Sequence, residues 1–128
     1  MTERTSAFVV AVVDDDRGVL RSLEYLLESA DYAVRLFTSG PDLLQSGCLP
    51  EIGCLISDID MPGMDGFELL RLVRPVRPAL PTILITGYPD TLTRLPLLGA
   101  IAPRVFTKPF EGQELLSAVG DAARGSPG

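Results

Sequence analysis

The sequence contains no histidine, only one lysine, Lys108, and only two cysteines, Cys48 and Cys54, among 128 residues. Without histidine, the Ser-His and Cys-His catalytic pairs are excluded, and the commonest metal ligand is missing. Two cysteines this close in sequence are too few for a zinc site and too near each other to staple a domain of this length, so we interpret both as reduced packing residues. Chemistry must therefore rely on carboxylates, hydroxyl groups and one ammonium group.

Positive charge and long apolar runs are also scarce. With 11 basic and 17 acidic residues the formal net charge is −6, which argues against nucleic acid as a direct ligand. No apolar run approaches the ~18 residues of a membrane span. The run from Ala7 to Val13 ends in three aspartates and has no small-residue cleavage site, so it does not fit a signal peptide. We therefore expect a soluble, cytoplasmic protein with no membrane partner.

The length is sufficient for one domain, since domains most often have ~100–150 residues. We expect this domain to cover residues 1–123, and residues 124–128 to form a flexible tail or the start of a linker. A DNA-binding or catalytic partner domain is then expected on another chain. The sequence leaves open whether these residues are a whole protein or a fragment of a longer one.

Apolar runs of strand length alternate with segments whose apolar residues recur every three or four positions, which predicts five βα units. The predicted strands are Phe8 to Val13, Tyr32 to Phe37, Ile52 to Ser57, Thr82 to Ile85 and Val105 to Thr107. The predicted helices are Arg17 to Ala30, Pro41 to Gln45, Asp65 to Arg74, Asp90 to Leu98 and Glu111 to Ala123. Right-handed crossovers then predict an α/β fold, a parallel sheet with helices on both faces.

Polar groups suited to phosphate or metal chemistry follow four of the five predicted strands. They are Asp14, Asp15 and Asp16 after the first strand, Asp58 and Asp60 after the third, Thr86 after the fourth and Lys108 after the fifth. The carboxyl ends of parallel strands meet at one edge of a sheet, where ligand sites form. The sequence therefore predicts a polar site at this edge.

Converging carboxylates raise one another's pKa unless a cation neutralises them, so the cluster indicates a divalent metal. An all-oxygen donor set suits Mg²⁺. Asp16 is better interpreted as the N-cap of the first helix. Lys108 could ion-pair with the carboxylates and hold an oxyanion, and Thr86 could add a hydroxyl donor, although threonine is equally common as a strand former.

Four motifs together carry a family resemblance. They are the stretches from Val12 to Asp16, Leu55 to Gly66, Ile85 to Gly87 and Phe106 to Phe110. In this order they resemble the receiver domain of two-component response regulators, over about Val9 to Ala122. The resemblance implies a (βα)5 fold, a doubly wound parallel five-stranded sheet with the flavodoxin-like strand order 2-1-3-4-5.

Residue by residue, the resemblance implies that Asp58 is the phosphoacceptor and that a sensor histidine kinase supplies the phosphoryl group from phosphohistidine. Asp14 and Asp15 would be the acidic pair that binds Mg²⁺. Asp58 itself and the backbone carbonyl of Asp60 would complete the protein's share of the metal ligands. The absent histidine would then belong to the partner.

Thr86 and Lys108 match the hydroxyl residue and the lysine that contact the phosphoryl group in this family. The family's Lys-Pro bond is typically cis, so we expect a cis bond between Lys108 and Pro109. The chain would then be a signalling switch rather than an enzyme with a separate substrate, one that catalyses its own phosphotransfer and dephosphorylation. Phosphorylation-dependent homodimerisation is left open.

Two features depart from the family pattern. Val105 stands at the position, three residues before the lysine, that is usually aromatic, and Phe106 cannot replace it because successive strand residues face opposite ways. The predicted fourth helix contains Pro96 and is followed at once by Gly99, which predicts a short or irregular helix. The usual coupling between threonine and aromatic ring is therefore in question, and output could use backbone movement or another face.

Two alternative functions fit parts of the sequence. The stretch Asp58-Ile59-Asp60 also satisfies the signature of haloacid-dehalogenase phosphatases, but the acidic pair and this strand occur here in the reverse order, and Pro62 replaces the expected threonine or valine. A receiver-like module that docks without being phosphorylated is the other alternative. The complete acidic set, with Thr86 and Lys108, argues against it.

Overall fold

The computed structural model describes residues 8–90 and 103–125. In chain order these residues form β1 (Val9–Val13), α1 (Arg17–Ser29), β2 (Ala33–Phe37), α2 (Gly40–Ser46), β3 (Cys54–Asp58), α3 (Gly66–Val73), β4 (Thr82–Thr86), β5 (Arg104–Thr107) and α4 (Gly112–Ala123). The first strand and the first helix thus begin within one residue of their predicted starts. In these ranges no helix combines the length and the apolar character needed to cross a membrane.

The five strands form one parallel sheet in the order β2-β1-β3-β4-β5, which confirms the predicted fold class. β3 and β4 are buried along their whole length and β1 along nearly all of it, whereas the edge strands β2 and β5 are partly exposed. Burial on both faces explains the nearly uninterrupted apolar runs of the central strands. Because all strands are parallel, their carboxyl ends lie along one edge.

The helices cover the two faces of this sheet in pairs. α1 and α4 contribute Leu23, Leu27 and Leu115 to a core cluster on one face. α2 and α3 contribute Leu43 and Leu69 to the cluster on the other face. Cys54 packs in the first cluster and Cys48 in the second, and both are buried free thiols, as the sequence predicted.

Capping side chains mark the starts of α1 and α3. Asp16 is the N-cap of α1, as predicted, and its Oδ1 accepts from the backbone N–H groups of Gly18 and Val19. Asp65, predicted as the first residue of α3, is its N-cap instead. Asp65 and Glu68 form a capping box in which each side chain accepts from the other residue's backbone N–H.

Two strands extend one residue further than predicted. β3 ends at Asp58 and β4 at Thr86, because the parallel pairing continues with Asp58 opposite Ile85 and Thr86 opposite Thr107. The next backbone bond, from the N–H of Ile59 to the carbonyl of Ile85, closes the ladder at 2.8 Å. Both polar residues are therefore held by sheet hydrogen bonds rather than by a loop. β3 also begins at Cys54, two residues later than predicted.

The predicted fourth helix, Asp90 to Leu98, lies outside the described residues from position 91 onward, as do Pro96 and Gly99. On β5, Val105 packs against the small cluster that contains Ile59 and Phe67, whereas Phe106 packs against the α1 and α4 side of the sheet. These opposite directions confirm that Phe106 does not occupy the position left by the missing aromatic residue.

Candidate functional site

Three carboxylates converge where β1 and β3 end. Asp14 follows β1, and its backbone N–H donates to the carbonyl of Phe37 while its Oδ1 accepts from the N–H of Asp16 at 2.9 Å. Asp14 and Asp58 are only 2% and 5% exposed, whereas Asp15 is exposed to solvent. One carboxylate oxygen from each of these three residues lies within 4.8 Å of the other two. The predicted acidic cluster is thus present.

Lys108 provides the opposing charge. Its Nζ lies 3.3 Å from Oδ1 of Asp58 and 3.9 Å from Oδ2 of Asp14. The residue is positioned by its backbone N–H, which donates to the carbonyl of Thr86 at 2.8 Å, and by the loop after β5, where the bond to Pro109 is cis as expected. The single lysine of the chain therefore lies between two buried carboxylates.

The electrostatics of this pocket differ from those of carboxylates in water. Burial and the charge of Asp14 raise the pKa of Asp58 to about 6, although Lys108 acts in the opposite direction. Burial likewise raises the pKa of Asp14. Burial alone would lower the pKa of Lys108, but the charges of Asp58 and Asp14 raise it above the ordinary value of 10.5. One ammonium group does not fully compensate two buried carboxylates.

The donor set fits a magnesium ion. Oδ1 of Asp58 is buried and has no hydrogen bond, so a carboxylate oxygen is available on the side that faces Lys108. Its two acidic neighbours offer further oxygens, and Asp15 is exposed, which leaves room for the water molecules that Mg²⁺ keeps. The carboxylate of Asp60 is not part of this cluster.

Instead, Asp60 binds Thr86. The hydroxyl Oγ1 of Thr86 donates to Oδ2 of Asp60 at 2.6 Å, and it accepts from the backbone N–H of Tyr88 at 2.9 Å. Thr86 is fully buried. The structure thus brings Asp14, Asp15, Asp58 and Lys108 together as predicted, but gives the Thr86 hydroxyl a partner that the sequence did not predict.

Gly66 contributes to the site, although the sequence did not predict a role for it. Its backbone N–H donates to the carbonyl of Ile59 at 3.0 Å, and a Cβ atom at this position would lie 2.6 Å from the carbonyl oxygen of Asp58. The sequence signal that could have indicated this role is the glycine directly after the capping residue Asp65. Glycine is common where two backbone segments approach closely. Gly66 allows α3 to begin directly against the end of β3.

Replacing Asp58 with asparagine is expected to stabilise the metal-free protein at neutral pH. The carboxyl has a pKa of about 6 in the folded protein against an ordinary value of 3.8, so the folded state binds more protons between these values. The free energy of unfolding of the wild type therefore falls as pH rises from 4 to 6. At pH 7.5 we expect Asp58→Asn to be more stable by about 2–3 kcal/mol.

Urea denaturation in the presence of a chelator, at pH values from 3.5 to 8, measures this difference. It should shrink to a small part of this value near pH 3.5, where the wild-type carboxyl is mostly protonated in both states. Asp42→Asn, which makes the same chemical change on an exposed side chain of α2, is the control. A constant difference between Asp58→Asn and wild type at all pH values would contradict the raised pKa.

Comparison with known proteins agrees with this geometry. A family model described as the response regulator receiver domain matches residues 10–120. The chain is 35% identical over 127 residues to the response regulator protein TodT of Pseudomonas putida, covering 99% of this chain and 55% of TodT. It is 33% identical over 115 residues to the transcriptional regulatory protein FixJ of Bradyrhizobium diazoefficiens, covering 90% of this chain and 56% of FixJ.

The chain thus spans about half the length of the curated relatives it matches. Among solved structures, the BeF3-activated receiver domain of DrrB from Thermotoga maritima is similar, with a TM-score of 0.81 and 26% identity. That likeness covers 93% of this chain and 99% of the DrrB domain.

Proposed function

This chain belongs to the response regulator receiver domain family, and from that premise we propose that it is a phosphorylation switch whose phosphoacceptor is Asp58. One observation carries the proposal. Oδ1 of Asp58 is buried, lacks a hydrogen bond and lies 3.3 Å from the ammonium group of Lys108. An anionic oxygen held beside a cation, without a competing donor, is what a carboxylate nucleophile for a phosphoryl group requires.

The proposed reaction transfers a phosphoryl group from phosphohistidine. A carboxylate oxygen of Asp58 forms the new O–P bond while the P–N bond breaks, and the electron pair of that bond returns to the imidazole. These 128 residues contain no histidine, and we propose that a sensor histidine kinase carries the phosphohistidine donor. In a loose transition state the charge spreads over the phosphoryl oxygens, and Lys108 can hold one of them.

Asp14, Asp15, Asp58 and the backbone carbonyl of Asp60 are the groups that would hold Mg²⁺. When bound, the ion supplies the positive charge that brings anionic phosphoryl oxygens next to buried carboxylates. The chain's own contribution is to bury two of these carboxylates and to keep Asp15 exposed. This arrangement fixes the orientation of the nucleophile before the phosphoryl group arrives.

We further propose that the switch resets itself. Attack of water on phosphorus breaks the O–P bond of the acyl phosphate, releases inorganic phosphate and restores the carboxylate of Asp58. The same Lys108 charge that stabilises phosphoryl transfer acts on this step, because both pass through similar charge distributions. We place the reaction in the cytoplasm, where the free thiols of Cys48 and Cys54 would stay reduced.

Phosphorylation by acetyl phosphate tests the proposed function. With Mg²⁺ present, intact mass spectrometry should detect a gain of about 80 Da, the mass of one phosphoryl group. Asp58→Asn should show no gain, because the amide is not a nucleophile, whereas the control Asp42→Asn on α2 should react like the wild type. No adduct on the wild type, or an equal adduct on Asp58→Asn, would favour a docking module that is not phosphorylated.

A further inference from the structure

We propose that the carboxylate of Asp60 is a positioning residue that holds the hydroxyl of Thr86 in the unphosphorylated protein and so opposes phosphorylation of Asp58. This inference rests on the proposed function, since it assigns a regulatory role to a contact beside that site. The juxtaposition that carries it is the 2.6 Å hydrogen bond from Oγ1 of Thr86 to Oδ2 of Asp60.

The Thr86 hydroxyl has a single proton to donate. A threonine hydroxyl donates once, and two acceptors lie within reach, namely Oδ2 of Asp60 at 2.6 Å and the carbonyl of Tyr88 at 3.2 Å. The shorter contact ends on a charged oxygen, and hydrogen bonds to carboxylates are shorter and stronger than those to neutral acceptors. The proton therefore belongs to the Thr86–Asp60 bond.

The Thr86 hydroxyl would have to leave Asp60 in order to contact a phosphoryl group on Asp58. Thr86 is fully buried, and its backbone carbonyl accepts from the N–H of Lys108 at 2.8 Å, so its position at the end of β4 is fixed. In this proposal, the Thr86 side chain rotates so that its hydroxyl donates to the phosphoryl group on Asp58. That rotation takes the proton from Asp60, and the two anions compete for one donor.

The competition for the Thr86 hydroxyl also affects the loop at Tyr88. Oγ1 of Thr86 also accepts from the backbone N–H of Tyr88 at 2.9 Å, so rotation breaks this bond as well. The side chain of Tyr88 is 66% exposed. Val105 has no aromatic ring that could move together with Thr86. Among the described residues, the loop at Tyr88 is therefore the segment that loses a hydrogen bond when Thr86 rotates.

NMR spectroscopy of the unphosphorylated protein tests the hydrogen bond itself. Three-bond couplings to the Thr86 methyl carbon should report one side-chain rotamer in the wild type and a measurable population of a second rotamer in Asp60→Ala, where only the contacts to Tyr88 still hold the hydroxyl. The alanine variant keeps the backbone carbonyl of residue 60, so the proposed metal ligand is preserved. An unchanged, single rotamer in Asp60→Ala would overturn the proposal, because the contact would then not be what positions the hydroxyl.

Beryllofluoride, a mimic of the phosphoryl group, tests the opposition to phosphorylation. At saturating Mg²⁺, the affinity of Asp60→Ala for beryllofluoride should exceed that of the wild type by about tenfold, the size expected from removing one charge-assisted hydrogen bond. Asp60→Asn, which keeps an uncharged acceptor, should lie between the two. Equal affinities of the wild type and Asp60→Ala would overturn the proposal.

A double-mutant comparison separates this role from a general effect of charge. In a Thr86→Val background, which lacks the hydroxyl but keeps a β-branched shape, Asp60→Ala should no longer change the affinity for beryllofluoride. If the gain persists there, Asp60 acts through its charge and not through Thr86. Absence of Asp58-dependent binding to the wild type would instead refute the proposed function, which distinguishes that failure from failure of this inference.

Discussion

Lys108→Ala should form the Asp58 phosphoryl adduct roughly 100-fold more slowly than the wild type, as expected for the loss of one preorganised charged donor. The ammonium group lies 3.3 Å from the Asp58 oxygen, where the phosphoryl group would bind. Its charge also lowers the pKa of Asp58, which burial and Asp14 raise to about 6 in the wild type. In the metal-free protein this pKa rises further without Lys108, so protons compete more strongly with Mg²⁺ for the carboxylate near pH 7.

Rates of adduct formation with acetyl phosphate at pH 6, 7 and 8.5 separate these two contributions. Raising the pH should recover the part of the loss that comes from protonation of Asp58, but not the part that comes from the missing contact to the phosphoryl group. Lys108→Arg is the matched control, because it keeps the charge but not the compact ammonium group, and it should retain an intermediate rate. A Lys108→Ala variant as fast as the wild type at pH 8.5 would contradict a direct role for this residue.

The lysine also offers a direct check of the electrostatics. Since Lys108 is the only lysine in the sequence, selective ¹³C labelling of lysine gives one side-chain signal, whose titration reports its pKa. The charges of Asp58 and Asp14 outweigh the effect of burial and raise this pKa above 10.5. In Asp58→Asn the pKa of Lys108 should therefore fall.

The sheet could be predicted from the sequence because its signals are local and redundant. The wholly apolar run Val9–Val13 and the run that ends at Asp58 each indicate a strand buried on both faces. The site followed from the same pattern, since parallel strands end at one edge. The placement of Asp14, Asp58 and Lys108 in one site could thus be predicted from the strand ends alone. An error of one residue in a strand boundary does not change the edge of the sheet at which these residues lie.

What the sequence could not predict depends on directions of side chains. Thr86 was expected to contact a phosphoryl group, and the sequence did not indicate that its hydroxyl donates to Asp60 in the unphosphorylated protein. The spacing of two residues between Asp58 and Asp60 does not specify which carboxylate lies nearer the end of the neighbouring strand. That depends on how the chain turns after β3, where Ile59 is buried and Asp60 is partly exposed. Rotamers and turns of this kind are set by packing, not by periodicity.

Gly66→Ala should lower the free energy of unfolding by about 2–3 kcal/mol, the upper part of the usual range for overpacking. An added Cβ would lie 2.6 Å from the carbonyl oxygen of Asp58 and 2.8 Å from Cα of Ile59. Both are backbone atoms, held by the bond from the Ile59 N–H to Ile85, so neither can move aside as a flexible side chain would. Either α3 shifts away from the sheet or the end of β3 is displaced.

Displacement of the end of β3 would also move the proposed phosphoacceptor Asp58. The rate of phosphorylation is therefore a more specific measure of this change than stability. Urea denaturation gives the loss of stability, and the rate of adduct formation with acetyl phosphate should fall in parallel because the nucleophile is no longer aligned. Gly87→Ala is the matched control, since a Cβ there would meet only Cδ of Lys108, at 3.9 Å. Its stability should stay within about 1 kcal/mol of the wild type. If Gly66→Ala were as stable as Gly87→Ala, the close approach of α3 to the end of β3 would not be what fixes Asp58 in place.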